Sequence, residues 1–512
     1  MASLEGDQRD VIAFLSNPAS YGTREAVEIH ETHGALVFLA NDQAFKLKRA
    51  VKYPYMDYST RAQRRMMGER ELAVNRRMAP ELYQEVRAIV ADGNSLRFGR
   101  PGEANARDWV VVMRRFAQAD LLESRRRSGT LLPMDMVTLA DAIAAHHAAA
   151  EIVPAFGGAS GMREIVDENI AILMEKAVGS DLSADVERLS VSSQLWLRRV
   201  RDVLGRRRQS GFVRRCHGDL HLNNVCMLDG SPVLFDAIEF NDAFSCIDVF
   251  YDLAFMVMDL DRHGLHGHAN TLLNRYLEVA GDFLGLAALP LFLSCRAAIR
   301  AHVAISTLQK ASPGAVEAGE PARLLKFANA YLEPPAAQLI AVGGVSGTGK
   351  STIAHALAPA VGAVPGAIVL RSDVVRKAMM GVPQSQRLDE TAYDDATNAT
   401  VYRRLGEVAG LILGTGHSVI VDAVFGHAHE RAQIRDVARD ASAPFCGLWL
   451  TATLDTIAHR IASRTGDVSD ATVAIAQKQL ATVTGPDTWR RVSAEGRLDE
   501  VLVVANRAWK TP

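Results

Sequence analysis

Cysteine is scarce in this chain. Five residues in 512 (Cys216, Cys226, Cys246, Cys295 and Cys446) are odd in number, widely spaced and without a C-x2-C pair. That usage argues against a disulfide framework and a zinc site, and for reduced thiols. An excess of one charge is also missing: 57 Lys and Arg stand against 59 Asp and Glu, a net of −2. Neither a polyanion nor an anionic membrane is therefore indicated as the main partner, and nucleic acid is left only as a local ligand. The opening MASLEGDQRD is charged and has no apolar run of the kind a secretory signal needs. The longest uncharged apolar stretch, Phe283 to Leu293, is interrupted by Pro290 and falls short of the ~20 residues that span a bilayer. Together these absences predict a soluble cytoplasmic protein. Repeats and low-complexity tracts are absent too. What remains is ordinary globular composition, 48% hydrophobic and 23% charged, in a chain long enough for roughly three folding units.

The clearest seam is Glu333-Pro334-Pro335-Ala336-Ala337, where paired prolines stop a helical pattern and stiffen a connector. The expected division is 1–332, a linker at 333–337, and 338–512. Charge is balanced from the seam onward, with 18 basic and 18 acidic residues in 333–512, so the C-terminal part is no basic nucleic-acid module. Within the first part, EIHETHGALVFLANDQAFKLKRA (28–50) alternates around the turn-forming Asn41-Asp42, as an antiparallel hairpin does. Residues 59–79 take helical spacing, VVVMRRF (110–116) is β-rich, and from Pro133 the pattern is mostly helical with a β-rich interruption at 213–240. This reads as a small β-rich lobe (about 28–116) followed by a helical lobe (about 117–332). After 337 strands and helices alternate, with strands at 339–343, 367–372, 418–422 and 445–450, which predicts a parallel α/β sheet.

The strongest motif lies in that second part. Gly344-Val345-Ser346-Gly347-Thr348-Gly349-Lys350-Ser351 fits G-x4-G-K-[ST] directly after the strand LIAVG and before a helix. Backbone N–H groups from Gly344 through Thr352 can surround a phosphate chain, Lys350 can reach the β and γ phosphates, and the Ser351 hydroxyl can bind Mg²⁺. Two acids end the next strands, where open α/β sheets place their ligand crevice. Asp373 is suited to take the proton of an acceptor hydroxyl, with Arg376 three residues later for an acidic group or the transferring phosphoryl. Asp422, ending SVIVD, suits indirect Mg²⁺ coordination. Arg460 and Arg464 are four apart on one helical face and could fold over the phosphates as a lid. On these residues, 338–512 resembles the P-loop kinases of small molecules and nucleic-acid ends, including gluconate kinase, polynucleotide 5′-kinase and zeta-toxin-like enzymes. The resemblance implies ATP-dependent phosphoryl transfer, with Asp373 and Arg376 serving an acceptor and the lid arginines serving phosphates. It names no acceptor, and a nucleic-acid 5′ end stays open beside small molecules.

In the first part, His217 to Asn224 (HGDLHLNN) fits H-x-D-x4-N, and Asp236 follows a turn and the apolar strand PVLFD. Phosphoryl transfer needs one carboxylate to orient the attacking hydroxyl, and an amide oxygen with a second carboxylate to hold the metal. Asp219, Asn224 and Asp236 supply these. Residues 28–330 on this basis resemble the aminoglycoside and choline phosphotransferase family, which has a protein-kinase-like fold. By that resemblance Lys46 is the phosphate lysine, with Lys48 on the same strand face as an alternative, and Glu71 is its helix partner, with Glu69 second. Met113, in the hinge VVVMRRF, lies beside adenine, and Asp248 and Asp252 open the acidic helix that follows. One departure is that no G-x-G-x-x-G precedes Lys46.

The combined expectation is a two-domain chain of mixed α/β and α+β class: a bilobal kinase-like domain, then a parallel-sheet P-loop domain. The pairing resembles a bacterial family described as bifunctional, with aminoglycoside-phosphotransferase-like and ATP-binding halves. It implies a kinase using ATP and Mg²⁺ on a small-molecule hydroxyl, with two potential centres. The competing reading is a P-loop enzyme whose N-terminal half only binds or senses a ligand.

Overall fold

In the computed structural model of the chain, residues 7–53, 55–310, 317, 319–463, 469–483 and 485–510 are described. They belong to two compact units, one of Met1–Met162 with Leu204–Asp259, the other of Arg163–Val203 with Leu260–Pro512.

The first unit is built on a six-stranded antiparallel sheet. Its strands are β1 (Glu28–Glu31), β2 (Ala35–Ala40), β3 (Gln43–Lys48), β4 (Tyr83–Asp92), β5 (Ser95–Gly99) and β6 (Ala106–Arg114), in the order β1-β2-β3-β6-β4-β5. The turn expected at Asn41-Asp42 is present, with Asn41 in the left-handed region at φ 54°. Alternation then divides the side chains of β3 between two faces. Phe45 and Leu47 pack with Phe38, Ile89, Val110 and Val112 on one face. Ala44, Lys46 and Lys48 point to the other, where helix α1 (Arg61–Asn75) lies. This helix starts with a capping box between Thr60 and Gln63 and buries Arg64, Gly68, Glu71 and Asn75, a stripe at helical spacing. Glu71 is thereby aimed at the lysines of β3. Further along come the short hairpin of β7 (Val225–Leu228) and β8 (Ser231–Leu234), and helix α2 (Val249–Arg262), whose first residues complete this unit.

The second unit contains helix α3 (His266–Ala280) and a five-stranded parallel sheet. The sheet's strands are β9 (Leu339–Gly343), β10 (Ile368–Arg371), β11 (Val419–Asp422), β12 (Phe445–Thr451) and β13 (Arg490–Ser493), in the order β10-β11-β9-β12-β13. All five residues of β9 are buried, as expected of a central parallel strand covered on both faces. Ile340 and Val342 pack against Ile353, Ala354 and Leu357 of α4 (Lys350–Leu357), so the apolar face of that helix fixes its start beside the sheet's C-terminal edge. Next in the chain come α5 (Ser372–Met379), α6 (Leu454–Ala462) and α7 (Val473–Thr482).

Three sequence expectations change here. The compact units do not divide at 333–337, because segments 163–203 and 260–332 group with the P-loop sheet. Prolines end a helix but do not decide which surfaces pack. The apolar region from Phe283 is longer than its uncharged core implies: Phe283–Leu308 is a 26-residue helical stretch, apolar enough to cross a membrane, with 72% of its most apolar window buried inside the protein. Pro290 does not break it, because it stands in the first turn of the helix Leu289–Lys310, where its missing N–H costs nothing. Finally, β4, β5 and β13 were not anticipated.

Candidate active sites

The candidate residues of the first unit converge. The Lys46 ammonium donates to Glu71 Oε1 at 2.7 Å and to Asp236 Oδ1 at 2.5 Å. Lys48 Nζ lies 2.7 Å from Glu71 Oε2 and 2.5 Å from Glu239 Oε1, and it reaches the Tyr58 hydroxyl. Both lysines therefore meet Glu71, one per carboxylate oxygen, while only Lys46 touches Asp236. Burial works against charge here, yet Lys46 and Lys48 hold Glu71 down to about 2, and Asp236 and Glu71 hold Lys46 well above the usual lysine value. Glu69 is instead a surface partner of Arg65.

The loop that carries Asp219 is pinned from beneath. Asp252, on α2, accepts the backbone N–H groups of His217 (3.2 Å) and Gly218 (2.8 Å) and meets His147 Nε2 at 3.1 Å. Asp259, two turns on, accepts the Leu222 N–H. The His217 ring lies 2.8 Å from the Phe235 carbonyl, and burial pushes its pKa down, so it is a neutral strut between the loop and the Asp236 segment. Asn224 Nδ2 donates to the backbone and side chain of Asp219, at 2.9 and 3.1 Å. Asp219 and Asp236 each keep 40% of their side-chain surface exposed. Asp236 is a non-glycine residue at φ 62°, with its N–H on the Tyr83 hydroxyl; backbone of that kind persists where the surroundings over-determine it. Asp248, by contrast, is tied up by Arg207 at 2.8 and 2.9 Å. Met113 sits in an apolar cluster with Tyr83, Cys226 and Val233. Asp252, His147 and Cys216 are close enough to hold a metal, but the hydrogen bonds of Asp252 and the Cys216 thiol's contact with the Ile247 carbonyl use the groups that would ligate it.

In the second unit the predicted phosphate loop lines a cavity of about 390 Å³ together with Ser372, Asp373, Asp422, Arg460 and Ser469. Glycine is required at two of its corners. Gly344 has φ 137° and a Cβ there would sit 2.6 Å from the Leu450 carbonyl, while Gly347 has φ 87° and a Cβ would meet Ile457 at 2.7 Å. Thr348 is buried and donates to the Val345 carbonyl, bracing the loop. Gly349 and Thr352 line the same cavity, and Lys350 and Ser351 open α4 beside them. Lys350 Nζ donates to the Val345 carbonyl at 3.1 Å and Ser351 Oγ to Asp422 Oδ2 at 2.5 Å. Arg460 bridges the Thr348 and Ala494 carbonyls at 3.0 and 2.6 Å. Asp373 stands in the first turn of α5; burial, then the charge of Asp422, raise its pKa.

One expected residue is not brought into this cavity. Arg376 faces away: it is 4% exposed, its guanidinium donates to the Ala392 carbonyl and to Asn398 Oδ1, each at 2.7 Å, and it stacks on Tyr393. The i,i+3 spacing puts it one turn from Asp373, but α5 turns that side into the protein, so Arg376 braces the 389–398 segment instead. Arg464 lies outside the described residues.

The Phosphotransferase enzyme family matches residues 56–289, and the AAA domain family matches residues 339–486. An uncharacterized protein of Mycobacterium tuberculosis, with a counterpart in Mycobacterium bovis, is 30% identical over 97% of this chain and 100% of its own length. This chain belongs to the same family. The chain joins a phosphotransferase region of the aminoglycoside and choline kinase type to a kinase-like P-loop region, and it is accordingly a kinase-type phosphotransferase. Adenylyl-sulfate kinase of Myxococcus xanthus is 35% identical over 117 residues, 23% of this chain and 59% of that protein. Among solved structures, a choline/ethanolamine kinase family protein from Mesorhizobium loti is 14% identical, covering 63% of this chain and 93% of that one with a TM-score of 0.38.

Three residues at this site carry no motif by which the sequence would announce them. Gln479, on α7, accepts the N–H of Ser346 in the phosphate loop at 2.7 Å. Asp470 accepts the Leu388 N–H and the Tyr393 hydroxyl and pairs with Lys377. Ser469 lines the cavity and hydrogen-bonds Asp373. These partners are separated by 77 to 133 residues, and no local pattern announces them.

Proposed function

We propose that the chain is an ATP- and Mg²⁺-dependent phosphotransferase with two centres, each directed at a hydroxyl of a small molecule. The observation that carries the reading is the convergence, in one cavity, of a phosphate loop, the Ser351–Asp422 pair and a partly buried acid, Asp373, whose pKa is raised. Oxygen donors of this kind suit Mg²⁺, and the ion when bound would neutralise phosphate charge. Loop amides and the start of α4 bind the phosphates, Lys350 leaves the Val345 carbonyl to meet them, and Arg460 closes from the side. Asp373 orients the acceptor hydroxyl and takes its proton as that oxygen bonds to the γ-phosphorus and the bond to the bridging oxygen of the leaving diphosphate breaks. A raised pKa makes it a better proton acceptor than an ordinary aspartate.

In the first unit Asp219 has the corresponding role. Asn224 and Asp236 are the oxygen donors for the ion, and Lys46, held by Glu71, is placed for the phosphates. Lys46 is preferred to Lys48 because it alone also reaches Asp236. Equilibrium binding of labelled MgATP to the full chain tests this reading: two sites per chain are expected, one lost in Lys46→Met and the other in Lys350→Ala. A single site, abolished by Lys350→Ala alone, would leave the N-terminal half without its nucleotide.

A further inference from the structure

An edge strand leaves one row of N–H and C=O groups without strand partners. In the parallel sheet β10 is such a strand, paired on one side only, with β11. Its inner edge is satisfied by pairing of the usual kind, the Ile368 N–H donating to the Ser418 carbonyl at 3.0 Å. On the outer edge two asparagines of α3 take the place of a neighbouring strand. Asn274 Oδ1 accepts the Val369 N–H at 2.7 Å, and its Nδ2 donates to the Ala367 carbonyl at 3.3 Å. Asn270 Nδ2 donates to the same carbonyl at 3.1 Å. Asn274 Nδ2 also lies 3.0 Å from the Asn270 carbonyl and 3.1 Å from its Oδ1, which ties the pair together. Both side chains are buried, 2% and 4% exposed.

A primary carboxamide offers the same donor and acceptor as a peptide unit, so Asn274 pairs with β10 as another strand's backbone would. Burying two amides is unfavourable unless they are hydrogen-bonded, and an apolar helix face would cover an edge more simply. What amides add is direction, because paired N–H and C=O contacts fix a strand along its own axis, where apolar packing lets it slide. Four residues beyond Val369, the chain reaches Asp373. We propose that Asn270 and Asn274 are positioning residues for Asp373, and that α3, which lies outside the 339–486 match, is an integral part of the C-terminal centre's acceptor side. The proposal rests on Asp373 orienting the acceptor. The phosphate loop leaves from β9, two strands away, so nucleotide binding is separable from this effect.

The test uses the full-length chain carrying Asp219→Ala, so that transfer from γ-labelled ATP into a cell metabolite extract reports the C-terminal centre. Asn274→Leu should speed amide exchange in a 366–374 peptide by about tenfold or more and lower transfer by about tenfold, with the KM for MgATP within about twofold of the parent. Asn270→Ala, which removes a single donor, should move both in the same direction by less, and it guards against simple failure to fold. Unchanged exchange in 366–374, or faster exchange with full transfer, overturns the proposal, as does a KM for MgATP that climbs in step with the loss. Asp373→Asn separates the two claims: if it keeps transfer, the reading of Asp373 fails, whereas if it loses transfer and Asn274→Leu does not, the positioning role fails.

Discussion

In the first unit the charged groups that would meet a nucleotide already hold one another: Lys46 and Lys48 share Glu71, and Asp236 and Glu239 complete the set. In the second unit the phosphate site is mostly backbone, a loop of amides at the start of α4 around a cavity, and its acid Asp373 has been moved toward the neutral form. A buried ion network of the first kind contributes specificity and breaks badly when one member is removed. A site of the second kind keeps its donors oriented whether or not a ligand is bound, and its chemistry depends on one side chain at a time. The two centres should therefore respond differently to substitution and to pH.

The largest difference should come from Lys350→Ala. Removing the one cation that the phosphate loop aims at the nucleotide should lower the C-terminal reaction by about a hundredfold to a thousandfold without a change in unfolding midpoint, measured by labelled-ATP turnover and urea titration. In the first unit Glu71→Leu should cost about 3–5 kcal/mol of stability, because two buried ammonium groups lose their shared partner; a urea midpoint within error of the parent would show that the network is not what holds α1 to β3. The two lysines should then separate. Lys46→Met should remove transfer that depends on Asp219, while Lys48→Met, whose contacts are Glu71, Glu239 and Tyr58, should chiefly lower the midpoint.

Acid sharpens the same contrast. Glu71 has its folded pKa depressed from 4.5 to about 2, so its contribution to stability is complete above the ordinary glutamate value and fades only as pH falls toward 2. Asp373 is shifted the other way. Its ionised form is disfavoured in the fold, so it costs stability at neutral pH and that cost disappears as it takes up a proton. The C-terminal reaction should accordingly lose activity on the acid side at a pH above the usual aspartate range. Asp373→Asn should abolish that reaction while raising the melting temperature at pH 7, with the gain shrinking as pH falls. The smallest effect expected is from Arg376→Ala: looser packing of 389–398 and a KM for MgATP within about twofold of the parent, because its guanidinium is spent on Ala392 and Asn398.

How much of this was legible in the sequence follows from how far apart the cooperating residues lie. The phosphate loop is eight consecutive residues whose glycines are demanded by positive φ and close backbone approach, so motif and geometry coincide. The Asp219, Asn224 and Asp236 set spans less than twenty residues and is equally visible. The pairing of β3 with α1 is readable as period 2 meeting period 3.6, which put both lysines on one face but could not choose between them. That choice needed Asp236, 190 residues from Lys46. Arg376 shows the converse, since spacing places a residue on a helix turn but not on the side of the helix that faces a ligand. The asparagines of α3 were invisible, because a carboxamide on a helix carries no sign of the strand edge it will pair with some 95 residues later. For the same reason the prolines at 334 and 335 looked like a domain boundary when the packing ran across them.

Product identity is the most direct measure of whether two phosphoryl-transfer centres share this chain. Wild type, Asp219→Ala with Asp236→Ala, and Lys350→Ala should be incubated with γ-labelled ATP and one metabolite extract, and their labelled products resolved by mass. Two non-overlapping losses, one set of products missing from the aspartate variant and another from Lys350→Ala, is the predicted result. An aspartate variant that retains every wild-type product would contradict it.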